Sequence, residues 1–158
     1  MSLRLPKKVH FPLAFDIWFR VVDGLTVDGQ PDEGYYDPPA QTVALDADLT
    51  NKRTAELVGH ELLHAGVSWL CWAYNERPRD KRVVLRREVA LPFGFKVPIV
   101  RVENLKDSYW SSEERKIYVP AQLAGHRLIE SFVGEFVDCL VDYDLWVTDE
   151  YIPKRRWK

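Results

Sequence analysis

Between Ala55 and Trp72, apolar residues recur at positions 55, 57, 58, 62, 63, 65, 67, 69 and 70 with no intervening proline. That recurrence predicts a largely buried helix rather than a strand. Thr50 or Asn51 can cap its start, because a side-chain oxygen there can accept from the free N–H groups of the first turn. A second long helix is predicted from about His126 to Trp146, with Ile129, Phe132, Val133, Phe136, Val137 and Leu140 forming one apolar stripe. Strand patterns occupy Phe15–Val22, which Asp23-Gly24 ends, then Tyr35-Tyr36 and Thr42–Leu45. Residues 82–102 alternate as two strands that Pro92, Gly94 and Pro98 bend or end, and Lys116–Val119 makes one more. Residues 1–12 and 28–34 read as irregular or turn segments, and Asn104–Arg115 as a charged loop. The expected architecture is one α+β domain spanning residues 1–158, a small mixed or antiparallel sheet on two main helices. An inserted β-hairpin is expected between the helices, in the region of about 76–120, and residues 152–158 form a basic tail.

One internal echo stands out. TVALDADL before the first helix resembles KIYVPAQL before the second, and Val58-Gly59 in one helix matches Val133-Gly134 in the other. Strand-then-helix patterns recur often enough that coincidence is the expectation here, rather than duplication.

Composition narrows the class of partner. With 158 residues the chain has enough material for a core of its own, and a net charge of −2 implies neither nucleic acid nor an anionic membrane. Asp16 and Arg20 interrupt the first apolar run before it reaches the length of a signal-peptide core, and no stretch has the length of a membrane span. Cys71 and Cys139 are isolated, as free thiols of a reducing cytoplasm would be, and a cytoplasmic location is expected.

Inside the first predicted helix lies His60-Glu61-Leu62-Leu63-His64, an H-E-x-x-H pattern. Residues four apart on a helix lie on one face, so both imidazoles can address one ion, and Glu61 stands beside it as a general base. The flanks, Leu57-Val58-Gly59 and Ala65-Gly66-Val67, carry no charge. Two core histidines bonded to backbone would be the plain alternative; the pairing with Glu61 and the uncharged flanks favour a metal.

A catalytic zinc commonly has three protein ligands and one open position. The spacing that takes a third histidine shortly after the motif fails, because Val67 and Leu70 stand where Gly and His would be needed. A carboxylate from the second helix is the other solution. At about 100° per residue, Glu130 falls at the border of the apolar stripe and Glu135 should look outward. His126 lies one turn before Glu130. The order of expectation is Glu130, then His126, then Glu135.

These features resemble the minigluzincins, small zinc metallopeptidases found in phage genomes. The resemblance rests on GYYDPPAQTVALD, the helix ELVGHELLHAG, and a later helix carrying Glu130, Val133 and Phe136; only the H-E-x-x-H part is specific. It implies a zincin-like fold, His60, His64 and Glu130 as zinc ligands, and Glu61 as the base. The longer stretch between the helices departs from the minimal family. The expected function is zinc-dependent hydrolysis of a peptide or protein substrate, with the strand near Val43–Leu45 pairing with substrate and His126, Tyr118 or Tyr143 donating to the oxyanion. The rival is a non-catalytic binding or structural protein on the same scaffold, to which Tyr109, Trp110, Trp146, Trp157 and the basic tail would supply contacts.

Overall fold

A computed structural model describes residues 3–76 and 85–155. Ten strands and two long helices organise them: β1 (Lys8–Phe11), β2 (Phe15–Val22), β3 (Thr26–Val27), β4 (Gln30–Pro31), β5 (Gly34–Asp37), β6 (Thr42–Asp46), α1 (Asn51–Glu76), β7 (Glu88–Leu91), β8 (Phe95–Val102), β9 (Tyr109–Ser111), β10 (Lys116–Pro120) and α2 (Gly125–Trp146). A π-helical turn, Val147–Tyr151, leads from α2 into a last short helix, α3 (Ile152–Lys154). The α+β expectation holds, with both long helices where the periodicity puts them. Thr50 caps α1 as expected: its hydroxyl accepts from the Arg53 N–H at 3.1 Å. Among the described residues, no helix is long and apolar enough to cross a membrane. The end of the basic tail, Arg156 to Lys158, and the start of the predicted strand at 82–84 lie outside the described residues.

The strands form two four-stranded sheets, ordered β1-β2-β6-β5 and β7-β8-β10-β9, beside a small β3-β4 ribbon. In each sheet the first pair is antiparallel, the middle pair parallel and the last pair antiparallel. The registers coincide as well. Val9 faces Ile17 as Val89 faces Val97, 80 residues later. Val43 faces Phe19 and Tyr36 as Ile117 faces Ile99 and Trp110, with 43 and 117 separated by 74. The offset changes by six where β3 and β4 stand, a ribbon that among the described residues has no counterpart in the second half. The hairpin expected between the helices is β7-β8, and β9 and β10 complete a second sheet around it.

The side chains repeat with the backbone. Trp69 donates its indole N–H to the Pro12 carbonyl at 2.9 Å, and Tyr143, 74 residues on, donates its hydroxyl to the Pro92 carbonyl at 2.9 Å. Phe15 packs on Trp72 and Phe95 on Trp146, each with centroids 5.0 Å apart. Leu13 and Ala14 in the first hairpin turn have positive φ, as do Phe93 and Gly94 in the second. The chain is thus built of two ββββα units of one topology and register, in which TVALDADL and KIYVPAQL are equivalent, whereas Val58-Gly59 and Val133-Gly134 are one residue out of step. The repeat is hard to see in the letters: Trp69 is matched by Tyr143 and Phe11 by Leu91, equivalent in bulk or donor but not in identity.

The halves share one core. Edge strand β1 lies against edge strand β7, and the two long helices pack on each other above them. Space at Gly59 is filled by Asp144 and space at Gly66 by Leu140, so α1 and α2 run antiparallel. Phe11, Trp69, Phe132 and Phe136 interlock across the halves, with Phe11 and Phe136 centroids 5.1 Å apart and edge-on.

A methyl at Gly66 would fall 2.2 Å from Leu140 Cδ1 in the core, whereas one at Gly134 meets nothing within 4 Å. Gly66→Ala should therefore cost about 1–3 kcal/mol by overpacking, and Gly134→Ala should stabilise by about 0.5–1 kcal/mol through helix propensity. Chemical denaturation of the two variants checks the contrast.

Candidate metal centre

His60, Glu61 and His64 lie in the middle of α1, and their ligand atoms all fall within 4.8 Å of one another. The two Nε2 atoms are 2.9 Å apart. A tetrahedral ion with bonds of ~2.0–2.1 Å holds two nitrogens about 3.3 Å apart, so a small ring rotation would seat one. Both imidazoles are exposed to solvent. Glu61 is buried at 6 % exposure, and burial raises its carboxyl above the ordinary range, against the lowering effect of both histidines and a hydrogen bond from the Tyr36 N–H. The group could hold a metal ion.

The centre opens into a cleft of about 640 Å³ lined by Asp32, Glu33, Gly34, Glu56 and Asp144 among others. Its arginine, Arg53, is clamped between Glu33 at 2.5 Å and Glu56 at 2.9 Å, leaving the lining acidic. Strand β5 is the free edge of the first sheet here. Because the Tyr36 N–H turns toward Glu61 and away from β6, the Tyr36 carbonyl also faces outward. The edge expected near Val43–Leu45 is displaced by one strand, since β6 is paired on both sides, with β2 and β5.

The other expected site residues go elsewhere. Glu130 is exposed and pairs with His126 at 2.7 Å, at the start of α2. It is not brought to the histidines: the antiparallel crossing sets the C-terminal half of α2 against the motif, and Glu130 precedes Asp144 by fourteen residues, about 21 Å along the axis. His126 is excluded as a ligand by the same geometry. Glu135 does not look outward; its carboxylate accepts from the Trp110 N–H at 2.9 Å, because β9 packs beside a helix face that the aliphatic stripe does not mark. Tyr118 belongs to the second sheet, where its hydroxyl donates to Glu114 and that carboxylate pushes its pKa up to about 12. Tyr143 is buried, with its hydroxyl on the Pro92 carbonyl. None of the three expected oxyanion donors reaches the cleft lining.

The residue that sequence reasoning missed is Asp144. It lines the cleft, its Oδ1 would sit 2.7 Å from a methyl at Gly59, and its carboxyl feels the charge of both His60 and His64. Burial is the larger influence and raises its pKa. It falls outside the 4.8 Å group as the side chain stands.

The repeat isolates what is particular to this centre. Glu61 and Glu135 are equivalent, as are the N–H groups they accept from, Tyr36 and Trp110. His60 and His64 correspond to Gly134 and Asp138, so the second half keeps the carboxylate and its strand bond without the imidazoles. Compared with protein-family models, curated proteins and solved structures, the chain matches none of them.

Two outcomes are expected for the centre. Metal titration should give binding that His60→Ala or His64→Ala removes, that Glu130→Ala leaves unchanged, and that weakens as pH falls and protons compete with the ion. For the metal-free chain, the raised pKa of Glu61 means the folded state favours its protonated form, so stability is lost as pH rises from the unfolded to the folded value. Glu61→Gln removes that loss, and its melting temperature should gain on the wild type more at neutral than at acid pH.

Proposed function

We propose that this chain is a zinc-dependent peptide hydrolase of minigluzincin type. The observation that carries the reading is the convergence of His60, Glu61 and His64 on α1, with His60 and Glu61 in the wall of an open cleft beside the edge strand β5. Two imidazoles suit zinc among the borderline metals. Zinc held there would supply Lewis acidity, lowering the pKa of water and polarising a carbonyl. His60 and His64 hold the ion. Glu61, with one side secured by the Tyr36 N–H and its basicity raised by burial, accepts the proton of the attacking water and returns it to the departing amine. The outward carbonyls of β5 accept from an extended backbone, while its Tyr36 and Gly34 N–H groups stay with Glu61 and Asp32. Asp32, Glu33 and Glu56 favour a cationic segment along the cleft.

A second reading is a metal-stabilised scaffold without catalysis. Glu135 favours it, since the same carboxylate performs a purely structural task where no histidines accompany it. Glu61→Gln separates the two, because the amide oxygen can still accept from Tyr36. Under the hydrolase reading, cleavage of a basic peptide library falls about 10²–10⁴-fold while zinc content is unchanged. Chelation of the wild type should abolish cleavage and leave the circular dichroism spectrum intact; unfolding on chelation with no cleavage beforehand would establish the scaffold instead.

A further inference from the structure

We infer that Asp144 is the third protein ligand of the metal, contributed by the second repeat to the histidine pair of the first; the inference rests on the metal reading above. Three observations carry it. Asp144 is the α2 carboxylate in the cleft lining with His60 and Glu61. It is seated against Gly59, the residue before His60, where a side chain on Gly59 would collide with it. That bare position lets the two helix backbones come close enough for a short side chain to serve, so an aspartate suffices where a wider gap would need a glutamate.

The third observation is the broken symmetry between the repeats. The counterparts of His60, His64 and Asp144 are Gly134, Asp138 and Leu70. The first repeat therefore has two imidazoles with a carboxylate across the helix crossing, and the second has no imidazole and a leucine at the aspartate's counterpart. A carboxylate retained for solubility or for capping would have no reason to follow the histidines. A carboxylate that shares their ion would. The donor set becomes two nitrogens and one oxygen, which leaves a tetrahedral ion one open position.

The test compares metal binding and coordination in the whole chain, with cobalt(II) as a spectroscopic stand-in for zinc. Asp144→Asn keeps the shape and removes the charge, and melting of the metal-free variant checks its fold. Zinc affinity, measured by competition with a chromophoric chelator, should fall at least about a hundredfold, the upper end of what loss of a supporting group costs. The visible cobalt spectrum should shift in energy and intensity, and Asp144→Glu should recover part of both. Unchanged affinity and an unchanged cobalt spectrum in Asp144→Asn, with His60→Ala still losing the metal, would overturn the assignment of Asp144 and leave the metal centre standing. A wild-type chain that takes up neither ion would overturn both.

Discussion

The close crossing of α1 over α2 is the constraint on which the rest depends. Gly59 and Gly66 are the places where α1 gives up a side chain so that α2 can approach, and Leu140 and Asp144 are what fill the room. The crossing decides which half of α2 faces the histidines, closes the aromatic core, and brings the two sheets edge to edge beneath. Nothing in either sheet alone would set the distance between the repeats.

Within that frame each repeat solves the same local problem in the same way. The helix must be tied to the outermost strand of its sheet, whose outward N–H groups would otherwise lack a partner near the helix. A glutamate does it in both halves, through Tyr36 in one and Trp110 in the other. The candidate metal centre of the first half is thus built around a bond the fold needs in any case. Only the two imidazoles and the aspartate facing them are additions.

Much of this was legible in the sequence. Helical periodicity located α1 and α2, and alternation with proline and glycine punctuation located β2, β5, β6, β7, β8 and β10. Strand β1 escaped notice because it is a short segment beside Pro12, and β9 because its three residues lie in a polar loop. The motif spacing gave the histidine pair, since i and i+4 is a property of one helix. Asp144, the carboxylate inferred to complete the set, was out of reach for a different reason. A helical wheel reports angle and not height, and fourteen residues later Asp144 returns to within about 40° of Glu130 on the wheel. The wheel cannot say which end of that face meets the histidines; only the crossing direction does, and it brings Asp144 there rather than Glu130. The repeat was undervalued for a related reason: what the halves share is register and the geometry of contacts, while identities differ.

The interlocked aromatics have one more consequence. Phe11 and Trp69 of the first half are closed over by Phe132 and Phe136 of the second. A solitary half would leave that greasy surface bare and would have to clasp a twin of itself, so every groove would come in identical pairs. Joining the two in one polypeptide releases the second groove from that obligation, and its helix is free to specialise as a wall for its neighbour.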